Sequence, residues 1–223
     1  MNPAIIVMCK APTAGTVKTR LAPFLSAEQS ADLAGCFAID AVKKARNICE
    51  NTIVAFAGEK EILETILPRN LIWVRQTGAD LGERMHNALR FAFERNFSPL
   101  VVIGTDSPTL PPEYIKAAIK ILQEKLTDAV IGETEDGGFY LLGLNQPNQQ
   151  IFQNVRWSSP ETFLQTVRNI RQLNLHLTTL PLWYDVDTPK DLRRLKTEIE
   201  NNARAGEIAP ETAPWLERHN QIF

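Results

Sequence analysis

Apolar positions along the chain follow two periodicities that alternate. Short, nearly continuous apolar runs, beginning with AIIVMC at 4–9, give way to segments in which apolar residues recur every three or four positions, and this continues to about residue 200. The runs have the length and composition of strands covered on both faces, and the other segments have the spacing of amphipathic helices. Ser26 and Gln29 form a capping box ahead of a helix that carries Leu33, Phe37, Ala41 and Ala45 on one face. TIVAFAG at 52–58 follows, then a short helix near 59–67 stopped by Pro68, then LIWVRQ at 71–76. Asp80 and Glu83 cap the next helix, whose apolar face is expected to hold Leu81, Met85, Leu89 and Phe93. LVVIG at 100–104, a helix from Pro112 to about Leu126, and AVIGET at 129–134 come next. A DGG turn then leads into FYLLGL at 139–144, a connection tight enough to predict one antiparallel excursion. A helix from about Pro160 to Leu173, a strand at 175–183 and a helix from Pro189 complete the alternation.

This order with short connections predicts an α/β fold, a mostly parallel sheet with helices on both faces. No repeat, low-complexity stretch or linker interrupts it, so 1–223 is expected to form one domain, with 204–223 a short docking helix. At 223 residues, 44% hydrophobic and 22% charged, the chain suits a single core that buries roughly 70% of the unfolded surface. The net charge of −2 argues against a protein that coats nucleic acid or anionic lipid, so any phosphate must be met by a local cluster of cations. The longest apolar run, AIIVM at 4–8, falls far short of the ~20 residues of a membrane-spanning helix and lacks the flanks of a signal peptide. A cytoplasmic location without membrane or nucleic-acid partners is the expectation. Cys9, Cys36 and Cys49 show no CxxC spacing and His86, His176 and His219 are scattered, which excludes a disulfide framework and a Cys/His zinc site. Cys9 and Cys36 are expected to be small buried hydrophobes.

In open α/β sheets ligands bind beyond the carboxyl ends of the strands, so the residues just after each predicted strand carry the chemistry. After the first strand comes KAPTAGTVKTRLAP, where Lys10, Lys18 and Arg20 crowd around Gly15 as an exposed cationic loop. Asp106 follows LVVIG, Asp136 with Gly137 and Gly138 follows AVIGET, and Asp185 and Asp187 follow the strand at 175–183. A cationic loop suits phosphates, and clustered carboxylates suit a hard divalent metal that bridges those phosphates. The loop is not a P-loop, since Val17 stands where that motif needs glycine before the lysine. Asp136 also reads as an Asp-Gly turn former, and Asp187 or Thr188 as the cap of the last helix.

KAPTAGTVKTRLAP, DLGERM, GTDSPTLP, DGGFYLLGL, WSS at 157–159 and DVDTPKDL occur in an order and spacing that resembles the DUF2064 family from about residue 4 to 196. These are bacterial glycosyltransferase-like proteins associated with radical-SAM, arsenosugar or selenium gene neighbourhoods. The resemblance implies the GT-A nucleotide-diphospho-sugar transferase fold, with likeness to phospholactate guanylyltransferases and, further off, to molybdenum-cofactor guanylyltransferases. Glu133 and Thr134 depart from the pattern, where relatives carry proline and a small residue.

Carried onto this chain, the resemblance implies that Lys10, Pro12, Gly15, Lys18, Thr19 and Arg20 hold the nucleotide phosphates, with Gly82 and Arg84 nearby. Asp106 would coordinate Mg²⁺ or Mn²⁺, with Asp185 and Asp187 completing the shell. Gly137, Gly138, Trp157 and Ser158 would face a small-molecule acceptor, although Trp157 also reads as a core aromatic. Three activities are then open. In glycosyl transfer from a nucleotide sugar, Asp136 takes a proton from an attacking hydroxyl. Nucleotidyl transfer from an NTP to a phosphorylated acceptor needs no such base but extensive positive charge. A nucleotide-binding regulator needs neither metal nor base. Expected partners are the donor and the acceptor, with a homodimer left open.

Overall fold

The computed structural model describes residues 2–22 and 24–223, so Pro23 at the end of the basic loop lies outside the description. The strands are β1 (Ala4–Lys10), β2 (Thr52–Ala57), β3 (Ile72–Arg75), β4 (Leu100–Ile103), β5 (Ala129–Thr134), β6 (Phe139–Leu144) and β7 (Leu177–Trp183). They form one sheet in the order β3-β2-β1-β4-β6-β5-β7. β6 runs antiparallel to β4 and β5, and the other neighbouring pairs are parallel. The antiparallel excursion is therefore where the DGG turn places it.

The continuous apolar runs are explained by cover on both faces. Along β1, Ile5, Val7 and Cys9 enter one core with residues of α1 (Ala27–Ile48) and α4 (Pro112–Gln123). Ala4 and Ile6 enter the other, with α3 (Leu81–Phe93) and α5 (Thr162–Gln172). The period of two thus feeds two cores from one strand. A short α2 (Lys60–Ile66) joins β2 to β3.

α1 opens with the expected reciprocal box between Ser26 and Gln29, and Leu33, Phe37, Ala41 and Ala45 are all buried. In α3 the Asp80 cap forms, but the buried stripe is Gly82, Met85, Ala88, Leu89 and Ala92. Leu81 and Phe93 are exposed, a correction to the expected face. Gly82 can be that stripe's first member because it lacks a side chain, and an apolarity pattern passes over it. Cys9 is buried as expected, whereas Cys36 is only half-buried.

After α6 (Pro189–Asn201) the tail folds as two helices rather than one, α7 (Ala203–Ile208) and α8 (Thr212–Arg218). The buried carboxylate of Asp40 on α1 accepts from Glu211 N, Thr212 N and Thr212 Oγ1. Trp215 is buried with Phe37, Tyr184 and Val186 in a third apolar cluster, which also takes in Leu21 of the β1 loop. That cluster fixes the loops after β1 and β7 against each other. No helix of the described residues is long and apolar enough to cross a membrane.

Candidate functional site

Because β1, β4, β5 and β7 are mutually parallel, or related through the antiparallel β6, their carboxyl ends share one edge of the sheet. A cleft of about 760 Å³ opens along this edge. Lys10, Lys18, Thr19, Arg20, Asp106, Asp136, Gly138, Trp157, Ser158, Asp185 and Asp187 all line it, so residues far apart in sequence are brought together as expected.

The geometry corrects one reading of the basic loop. Lys18 is not an exposed cation: its side chain is 7% accessible. Its backbone is left-handed at φ 48°, at the start of a 3₁₀ turn over Thr19–Leu21. This turns the ammonium inward, where it pairs with Asp106 and Asp187 and donates to Val186 O at 2.8 Å. Burial alone would lower its pKa, but the charges of Asp106 and Asp187 and hydrogen bonds to them outweigh this and raise it. Lys18 thereby ties the loop after β1 to those after β4 and β7. Val186 N donates to Asp106 O at 2.8 Å and makes a second tie. Lys10 donates to Thr16 O, and Arg20 is exposed with one nitrogen 3.2 Å from Asp187. These two carry the loop's accessible charge.

Asp185 is half-buried and accepts from Ser107 Oγ. Burial pushes its carboxyl up to about 7, helped by the charges of Asp106 and Asp136 and opposed by the Ser107 hydrogen bond and by Lys18. Thr188, not Asp187, caps α6, in a reciprocal box with Asp191. The expected shell of Asp106, Asp185 and Asp187 does not form. Asp187 is engaged by Lys18 and Arg20, and no group of three or more acidic, His or Cys side chains among the described residues is set to hold a metal. Asp106, half-exposed, and Asp185 still offer hard oxygen donors on adjacent loops. Two carboxylates completed by substrate phosphates is a donor set that Mg²⁺ accepts, so the pair fits such an ion.

Asp136 is a turn former that also borders the cleft. Its Oδ1 accepts from Gly138 N at 3.0 Å, an Asx-type turn, and from Thr134 Oγ1 at 2.6 Å, while the residue lines the cleft. Thr134 and the Gly138 amide thus orient this carboxylate. Gly137 does not line the cleft. At φ +86° a Cβ there would lie 2.1 Å from Pro160 O, and its own carbonyl accepts from Phe163 N at 2.8 Å. It clamps the 157–160 segment onto the turn. Gly82 also lies outside the lining, and a Cβ there would meet Trp157 Cζ2 at 2.4 Å. Its absent side chain seats the indole on α3.

Pro12, Gly15 and Arg84 are not among the lining residues either. Pro12 packs near Gly35, Gly15 sits at an open turn with φ +75°, and Arg84 Nε donates to Gly78 O at 3.3 Å. The sequence reading missed Gln76, whose amide donates to Cys9 O and Ala55 O, and it missed Ser107 and the apolar residues Leu81, Met85 and Phe139. Ser107 was legible as the neighbour of Asp106. The apolar residues carried no signal that separates cleft from core. Cys9 also lines the cleft, and burial with the charge of Asp106 pushes its thiol up to about 12.

Comparison with known proteins places this geometry. The profile of an uncharacterised protein family conserved in bacteria, DUF2064, matches residues 38–159. A crystal structure from Desulfovibrio desulfuricans G20, with the provisional description of nucleotide-diphospho-sugar transferase, is 30% identical with a TM-score of 0.90, covering 100% of this chain and 97% of that one. A cytidylyltransferase of Leptospira borgpetersenii is 14% identical with a TM-score of 0.61, over 100% of this chain and 96% of its own. Rv0371c of Mycobacterium tuberculosis H37Rv, solved in complex with manganese, is 15% identical with a TM-score of 0.51, over 86% and 97%. The fold is therefore of the α/β class shared by nucleotidyltransferases and GT-A proteins. Within that class, the chain belongs to the DUF2064 family.

Proposed function

We propose that the protein transfers a sugar from a nucleotide-diphospho-sugar to a hydroxyl group of a small molecule, with Mg²⁺ or Mn²⁺ held by Asp106 and Asp185. The observation that carries this reading is the convergence of accessible cations, two adjacent carboxylates and an oriented third carboxylate in one cleft at the carboxyl edge of the sheet. The name carried by the 30%-identical Desulfovibrio structure points the same way.

Lys10 and Arg20 face the diphosphate and bind it with charge-assisted hydrogen bonds. When bound, the divalent ion supplies charge neutralisation for the leaving diphosphate. Lys18 holds Asp106 in place rather than contacting phosphate. Asp136, fixed by Thr134 and Gly138, takes the proton of the acceptor hydroxyl. The acceptor oxygen bonds to the anomeric carbon, the bond from that carbon to the diphosphate breaks, and a nucleoside diphosphate leaves.

One observation favours nucleotidyl transfer as a second reading: Asp106 stands between Thr105 and Ser107 rather than in an Asp-x-Asp pair. The two are separated by product. Incubation with nucleotide sugars and with nucleoside triphosphates, plus Mn²⁺, is expected to release nucleoside diphosphate from a sugar donor. Pyrophosphate release from a triphosphate would establish the second reading. Nucleotide binding without either product would make the protein a regulator.

A further inference from the structure

The ammonium of Lys18 sits among oxygen atoms from two other loops. It pairs with the carboxylates of Asp106 and Asp187, the latter at 3.1 Å, and donates to Val186 O at 2.8 Å. Its side chain is 7% accessible, and the ring of Phe37 lies behind it, with 5.4 Å from nitrogen to centroid. Two carboxylates and a carbonyl are oxygen donors of the kind a hard cation takes. A tethered monovalent cation therefore stands where the sequence suggested a shell for a divalent one.

The two carboxylates differ in how firmly they are held. Asp187 gives one oxygen to Lys18 and the other to Arg20 at 3.2 Å. Asp106 is 47% exposed, and Lys18 is its only side-chain partner among the described residues. Its backbone is fixed independently of its carboxylate, because Val186 N donates to Asp106 O at 2.8 Å. The Asp106 carboxylate can therefore exchange one cation for another without the loops after β4 and β7 parting. An ammonium that leaves Asp106 keeps Asp187, Val186 O and the Phe37 ring as partners.

We infer that Lys18 is a built-in competitor for the metal: its ammonium must withdraw from Asp106 toward Asp187 for Asp106 and Asp185 to take a divalent ion together. The inference rests on the metal-dependent transferase reading and adds a regulation to it. An ammonium and a divalent ion on one carboxylate repel each other, and the repulsion is strong where the ammonium is buried. Lys18 therefore holds down the affinity for metal alone. Nucleotide phosphates bring negative charge and further oxygen donors to the same ion, which offsets the competition. Metal loading is thereby tied to nucleotide loading, and by linkage each favours the other.

The test is calorimetric titration of Mn²⁺, without and with UDP or GDP, into wild type, Lys18→Met, Lys18→Gln and Arg20→Ala, each checked for folding by circular dichroism. Without nucleotide, Mn²⁺ is expected to bind the folded Lys18 variants at least about tenfold more tightly than wild type. Arg20→Ala is the control for a general change in charge. Its guanidinium is exposed and pairs with Asp187 instead, so its loss should alter Mn²⁺ affinity by about twofold or less. A second measurement uses wild type alone, because the Lys18 variants lose stability. The NMR resonance of the Lys18 ammonium, identified by its contact with the Phe37 ring, should shift when Mg²⁺ is added to the nucleotide-bound protein. Three results would overturn the inference while Mn²⁺ binding to wild type preserves the transferase reading. These are no gain in Mn²⁺ affinity in the folded Lys18 variants, an equal gain in Arg20→Ala, and an ammonium resonance unmoved by bound Mg²⁺. Failure of Mn²⁺ to bind any of these proteins, with or without nucleotide, would overturn both.

Discussion

The buried ammonium of Lys18 pairs with the half-exposed carboxylate of Asp106, and through this contact the loop after β1 is locked to the loop after β4. Asp187 shares the same ammonium at 3.1 Å, which extends the lock to the loop after β7. A charged centre between three loops gives the cleft its shape before any ligand arrives.

Lys18→Met should therefore be costly to the fold. It leaves Asp106 without its cation and Asp187 with only the exposed Arg20, and breaking a buried pair from one side is expected to destabilise by about 1–3 kcal/mol once the exposure of both carboxylates is discounted. Arg20→Ala, at the exposed end of the same cluster, should shift stability by less than about 0.5 kcal/mol. Urea unfolding of the two variants checks this, and equal midpoints would contradict the locking role.

Asp136→Asn keeps an oxygen able to accept from Gly138 N and Thr134 Oγ1, so the turn and the melting temperature should be preserved. Turnover should fall by ~10²–10⁴ with nucleotide affinity unchanged, because the proton acceptor is gone. A loss of about tenfold or less would indicate an acceptor that needs no base. Steady-state rates and nucleotide titration of the same preparation distinguish the two.

Gly82→Ala drives a methyl group into the Trp157 ring and toward Phe152. Overpacking of this kind costs about 1–3 kcal/mol, and it should shift the tryptophan emission of the protein relative to wild type. Unchanged fluorescence with unchanged stability would show that the indole is not seated on α3.

Lys44, buried on α1, donates to Pro108 O at 2.8 Å, two residues beyond Asp106. Burial lowers its pKa to about 7, partly offset by the charge of Asp40. In the unfolded chain the group titrates at about 10.4, so between pH ~7 and ~10 the folded state holds fewer protons than the unfolded state. Stability contributed by this group therefore rises with pH across that window, and its penalty is full below pH ~7. Lys44→Met should flatten the rise in denaturation midpoint from pH 7 to 9. Parallel pH curves for variant and wild type would contradict this.

Much of this architecture was legible because the signals were local. The β1 run, the Ser26–Gln29 box and the Asp80 cap need only neighbouring residues, and the common edge of the sheet follows from strand direction. The candidate site was legible as a set of positions after strands, but the state of each side chain was not. Lys18 and Lys10 look alike in sequence, and only the left-handed turn at Lys18 and the facing carboxylates of distant loops bury one and expose the other. Gly82 and Gly137 read as ligand contacts, yet they act by admitting Trp157 and Pro160, partners 75 and 23 residues away in sequence. The apolar cleft residues Leu81, Phe139 and Trp157 have the same periodicity as core, so pattern alone cannot set them apart.

The most direct test of the central claim is calorimetric titration of UDP and GDP into wild type and Asp106→Asn, each with Mn²⁺ and with excess EDTA. If Asp106 and Asp185 hold a divalent ion that bridges to nucleotide phosphates, at least one nucleotide should bind wild type in Mn²⁺. Its affinity should fall about tenfold or more both in EDTA and in Asp106→Asn, with the variant's fold intact by circular dichroism. Nucleotide affinity that is the same with Mn²⁺, with EDTA and in Asp106→Asn would contradict the claim.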